Sequence, residues 1–194
     1  MTRIFPVLAS LSLGLFFVAV AMGLMIGDLY DQPDQATLRL RGVHMLTGTA
    51  AALAVVFVHS IVVTYFVGTS RWVKEVSETY RLDPTPLVRS TLLKRKTFPW
   101  CVVGMLTVVA VGALGAASDP GTGRPDTASM ASVHLASAIA GLALVGWTYL
   151  RAWLNIWDNQ GVIEEVVGMV QAIRRERGLD QEQNAEEPSE LAKN

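Results

Sequence analysis

Four stretches of this chain contain no Lys, Arg, Asp or Glu: Ile4 to Gly27, Gly42 to Ser70, Thr97 to Ser118, and Thr127 to Leu150. Each exceeds the roughly 20 residues that a helix rising 1.5 Å per residue needs to cross a hydrocarbon layer about 30 Å thick. Inside lipid a backbone N–H finds no water, so it must be bonded within its own segment, and runs of this length satisfy that only as α-helix. The sequence therefore predicts an all-α membrane protein, an up-down bundle of four transmembrane helices spanning about 4–27, 43–68, 98–118 and 129–153. Composition agrees, with 51% hydrophobic and only 17% charged residues. Mean hydropathy is +0.36, high for a water-soluble domain.

The first stretch also resembles a secretion signal, since Arg3 precedes it and Ala19-Val20-Ala21 offers a small-x-small cleavage site. Its charge-free length exceeds the 7–15 residues of a signal core, which favours a permanent span. The lone Cys101 forms no internal disulfide and rules out multi-thiolate zinc or iron–sulfur frameworks.

Charge between the spans sets an orientation. Residues 71–96 carry Arg71, Lys74, Arg81, Arg89, Lys94, Arg95 and Lys96 against Glu75, Glu78 and Asp83, whereas segments 28–41 and 119–126 are acidic on balance. The excess of Lys and Arg marks the cytoplasmic side, so both termini are expected inside, as in a multi-pass protein of a bacterial inner membrane. Trp72, Trp100, Trp147, Trp153 and Trp157 fall at the same ends of helices two, three and four, where they would form an interfacial belt.

The cytoplasmic segments also read as helices, about 71–96 and 160–178. Val162, Ile163, Val166, Val167, Val170 and Ile173 mark one apolar face, as do Trp72, Val73, Val76 and Tyr80, with a break at Asp83-Pro84-Thr85-Pro86. Two uses are open for these amphipathic extensions: lying on an anionic leaflet, or docking a partner subunit. Residues 179–194 are polar and acidic and are expected to be a disordered tail. No internal repeat and no low-complexity tract is expected.

All three histidines lie inside the charge-free stretches, where ionisable groups are costly and tend to be functional. His44 and His59 are fifteen residues apart on helix two, about 22 Å along the axis and about 60° apart around it, so both can face the bundle interior. His134 lies near the outer end of helix four. Helices two and four occupy diagonal corners of an up-down bundle, so His44 and His134 can meet at one depth. Two imidazoles converging in an apolar interior are what bis-histidine ligation of a haem requires, one on each face of the macrocycle. Space for it would come from Gly23 and Gly27 on helix one, Gly48 on helix two, and Gly112 and Gly115 on helix three. Arg39 and Arg41 are placed to pair with haem propionates. The same glycines also suit plain helix packing, and Met45 and Met130 leave a copper site open.

This arrangement resembles the four-helix haem core of cytochrome b and other small membrane b-type cytochromes, in which helices two and four each carry two histidines fourteen or fifteen residues apart. The resemblance implies haem b at an outer level between His44 and His134. At the inner level His59 has a counterpart, but Tyr149 stands where the second histidine would be. His59 then has three readings: a ligand of a five-coordinate haem, a hydrogen-bond partner of Tyr149, or a neutral polar group in helix packing. The function implied is electron transfer as the haem-binding subunit of a redox complex, with other membrane or redox subunits and a quinone as partners. The alternative is a cofactor-free scaffold or assembly subunit. No nucleic-acid partner is expected. No nucleophile elbow, phosphate loop or metalloprotease helix is present. An enzymatic role is left open, as a non-catalytic subunit of an oxidoreductase.

Overall fold

The computed structural model describes residues 1–179. The chain forms four long helices, α1 (Ile4–Met25), α2 (Gln35–Tyr80), α3 (Thr85–Ser118) and α4 (Thr127–Glu176), with a single 3₁₀ turn at Pro120–Thr122. No strand occurs among the described residues. All four helices are long and apolar enough to cross a membrane. Sequential helices pack side by side and α1 closes the ring against α4, leaving α2 and α4 in contact across the diagonal.

Local chemistry sets the helix ends. The Asp34 carboxylate accepts the Thr37 N–H at 2.7 Å and caps α2, satisfying one of the N–H groups a helix start leaves open. Arg81 ends α2 in the left-handed conformation at φ 54°. Pro84 and Pro86 then start α3, where a missing N–H costs nothing. Three prolines lie within the helices: Pro6 in the first turn of α1, Pro86 in the first turn of α3 and Pro99 in the interior of α3. Pro99 leaves the Arg95 carbonyl without its usual intrahelical donor.

The amphipathic segments expected as separate helices are continuations of α2, α3 and α4. At 1.5 Å per residue, the 46 residues of α2 and 50 of α4 reach roughly 70 and 75 Å, more than twice a bilayer's apolar thickness. Their apolar faces are used within the chain: Val73, Val162 and Val166 are fully buried together, with Val76, Leu82, Leu87 and Leu93 around them. This second core lies on an extended end of the bundle, opposite the short loops 26–34 and 119–126. The expected tail, from Asp180 onward, lies outside the described residues.

Between the two cores runs a layer of buried amides. Asn159, fully buried, donates to the Tyr65 hydroxyl and the Thr69 hydroxyl, both at 3.1 Å, and accepts from Ser90 at 3.3 Å. Asn155 donates to Thr97 at 2.9 Å. These bonds tie α4 to α2 and α3, and a buried amide with one register of partners fixes how far the long helices slide past each other.

Candidate functional site

The main cavity, about 790 Å³, opens toward the short-loop end and is walled by all four helices. That volume falls within the 300–1,000 Å³ usual for small-molecule and cofactor sites. Phe16, Ala19 and Gly23 of α1, Arg41, His44 and Gly48 of α2, Gly112 and Gly115 of α3, and His134 of α4 face it, as does Gly27, which lies not on helix one as expected but in the loop after α1 ends at Met25. Of the residues singled out from sequence, Arg39 and His59 are not in the wall. Arg39 is exposed, and His59 lies deeper, fully buried. Met45 lines the cavity; Met130 does not.

His44 and His134 approach from α2 and α4 with ring centres 6.2 Å apart and planes crossed at 76°. Two imidazoles on opposite sides of one metal ion, each bonded through a nitrogen at about 2.0–2.1 Å, would have ring centres roughly 6–6.5 Å apart. The observed separation matches. The His44 Nδ1 lies 2.9 Å from the Ala19 carbonyl oxygen. A carbonyl can only accept, so Nδ1 carries the proton and Nε2 keeps its lone pair, the arrangement that orients an imidazole as a ligand. His134 lies beside the Val111 carbonyl of α3, and its buried Nδ1 makes no hydrogen bond.

Two glycines make these approaches possible. A Cβ on Gly23 would lie 3.2 Å from His44 Cε1, and one on Gly115 would lie 3.0 Å from His134 Cε1. Each glycine stands four residues after the carbonyl in question, Ala19 before Gly23 and Val111 before Gly115. In a helix the residue four positions on sits directly over a carbonyl. Removing its side chain exposes the oxygen's second lone pair to an incoming ring. Gly48 and Gly112 differ, since a Cβ added at either would meet nothing within 4 Å; they contribute empty space.

At the mouth, Arg41 forms an ion pair with Asp119, which also accepts the Gly121 N–H at 2.8 Å. Burial works against the charge on Asp119, but the hydrogen bonds from Arg41 and Gly121 and the Arg41 charge outweigh it, holding the carboxyl below its ordinary value. The Arg41 Nε is buried and unpartnered. Tyr30 straps the mouth, its hydroxyl placed 2.9 Å from the Ser118 carbonyl and 3.2 Å from that of Thr127.

The deeper level is packed. His59 Nδ1 lies 2.9 Å from the Val55 carbonyl and Nε2 3.0 Å from the Thr148 hydroxyl. Its ring stacks on Tyr149 at 4.7 Å, and the Tyr149 hydroxyl meets that of Ser12 at 2.9 Å. Of the three readings of His59, the contacts are those of helix packing; the hydrogen bond to Tyr149 is not formed, because the rings stack and the Tyr149 hydroxyl is bonded to Ser12 instead.

Sequence reasoning did not single out Ala19, which holds His44 through its backbone oxygen, nor Val111, Asp119 and Tyr30, none of which carries a distinguishing motif. The glycine four residues on was the one available sign of the carbonyls. Among the described residues no three His, Cys, Asp or Glu side chains cluster to hold a metal. A bare ion at this site would have two protein ligands, too few for a closed zinc centre. Two suffice where a macrocycle brings the rest of the coordination sphere. No protein-family model matches this chain, and comparison with curated proteins and with solved structures also finds no match.

Proposed function

We propose that this chain is a membrane electron-transfer protein that holds one b-type haem between His44 and His134. The observation that carries the proposal is the pair of imidazoles 6.2 Å apart across a cavity of about 790 Å³ that all four helices line. When bound, the haem would supply one-electron chemistry at its iron; the residues supply everything else. The Ala19 carbonyl holds the His44 proton on Nδ1 and so aims Nε2 at the cavity. Gly48 and Gly112 leave room for a flat ring system. Arg41 is the cation in the wall, with an unpartnered Nε to meet an acidic substituent while Asp119 fixes its other side. The apolar walls exclude water and protect the site's electrostatics. By the distribution of Lys and Arg the mouth faces outward, where a redox partner would be met, and the long extensions lie in the cytoplasm as docking surfaces for other subunits.

The test is a reduced-minus-oxidised absorption spectrum of the full chain purified in detergent after expression with ample haem. A b-type band is expected, lost or converted to a five-coordinate form in His134→Ala and in His44→Ala. If the wild-type chain carries no haem, the scaffold reading stands in its place. A band untouched by either substitution would refute these ligands.

A further inference from the structure

The two levels of the bundle are built on one spacing. On α1, Ser12 and Gly23 are eleven residues apart, as are Gly104 and Gly115 on α3; on α2, His44 and His59 are fifteen apart, as are His134 and Tyr149 on α4. The contacts repeat with the spacing. His44 packs on Gly23 of its own hairpin, and His134 on Gly115 of its own. Deeper down the contacts cross over, His59 packing on Gly104 of α3 and Tyr149 bonding Ser12 of α1. The α1–α2 and α3–α4 hairpins are thus related by an approximate two-fold axis along the bundle, although no residue-identity repeat marks it. A ligand pair and its two cradling positions recur at each level.

The levels differ in what fills them. At the outer one the rings stand 6.2 Å apart beside a cavity. At the inner one they stack at 4.7 Å, closer than a shared metal allows. Both nitrogens of His59 are engaged, by the Val55 carbonyl and the Thr148 hydroxyl. The space vacated at Gly104 is already taken, since a Cβ there would come closer than 3.0 Å to the His59 ring.

Resting on the haem reading above, we propose that Tyr149 and Gly104 close the inner level as a cofactor site, so that the chain carries a single redox centre in its outer half and exchanges electrons at the outer face only. The closed level leaves a long gap. From His134 to Arg151, the first charge toward the cytoplasm, α4 rises about 25 Å with no second iron-binding pair between. A haem held by His44 and His134 would supply one-electron chemistry at the mouth alone, and these residues offer no second centre to carry charge across the membrane.

The first readout is haem per chain, from a pyridine haemochrome assay against quantitative amino-acid analysis of the detergent-purified full chain. One per chain is expected, unchanged in His59→Gln, whose amide can still bond Thr148, and in Tyr149→Phe, which keeps the ring stack. Two haems per wild-type chain, or a ratio halved by His59→Gln, would overturn the closure and leave the haem reading intact. A ratio of zero overturns both. The second readout is sidedness: in phospholipid vesicles whose orientation is scored by proteolysis of the extended end, dithionite should reduce the haem quickly only from the mouth side. Equal rates from both sides would overturn confinement to the outer face.

Discussion

Replacing Gly104 by Ala tests the inner level directly, whatever the outer cavity binds. The added methyl would come closer than 3.0 Å to Cε1 and Nε2 of His59 and sit 3.0 Å from the Thr148 hydroxyl. His59 is fully buried and held at both nitrogens, so it cannot swing aside without breaking a bond. Overpacking costs about 1–3 kcal/mol, a strained membrane hydrogen bond adds about 0.6–2, and the helix preference for Ala over Gly returns about 0.5–1, for a net loss of about 1–4 kcal/mol. For a chain of this size each kcal/mol moves the midpoint by about 2–4 °C, so Tm in detergent should fall by several degrees to well over ten. Gly146 provides the control, because a methyl there meets nothing within 4 Å. Gly146→Ala should leave Tm unchanged or raise it slightly. If Gly104→Ala is as stable as Gly146→Ala, the tight His59–Gly104–Thr148 packing is not what orders this level, and the inner level is not closed by it.

Two further outcomes follow from polar contacts outside that level. The Asp119 carboxyl is held below its ordinary value by Arg41 and Gly121, so its contribution to stability is complete above the unfolded pKa near ~3.9 and is lost as pH falls through the lower folded value. The acid-side fall in Tm measured between pH 5 and 2.5 (roughly one unit above and below ~3.9) should therefore be shallower in Asp119→Asn than in wild type; equal slopes would mean the pair contributes nothing. Asn159→Ala strands the Tyr65 and Thr69 oxygens and the Ser90 hydroxyl and should cost about 1–3 kcal/mol in denaturant unfolding, with Tyr65→Phe largely non-additive on top of it.

The four-helix architecture was legible in the chain because absence of charge over twenty or more residues admits one backbone solution in lipid. The level at which His44 and His134 meet was legible for a related reason: alternation of span direction puts the same ends of α2 and α4 together, and a position along a helix converts directly to depth. What was not legible involves direction around a helix rather than along it. Gly23 and Gly115 read as room for a macrocycle, yet the structure sets them against the imidazole rings and leaves Gly48 and Gly112 as the open positions. Backbone carbonyls such as that of Ala19 carry no side-chain signature, so a ring held by one is invisible until the helices are packed. The extensions show the same limit. Their apolar faces were clear as periodicity, but periodicity does not say what covers a face, and the answer was each other: Val73 against Val162 and Val166. The approximate two-fold relation escaped detection because it conserves spacing and contact while changing identity, Ser12 for Gly104 and Tyr149 for His59. That is the pattern expected if packing constrains where a residue sits more tightly than what it is, except where a ligand must be held; and the histidines retained at both related positions are those of the outer level.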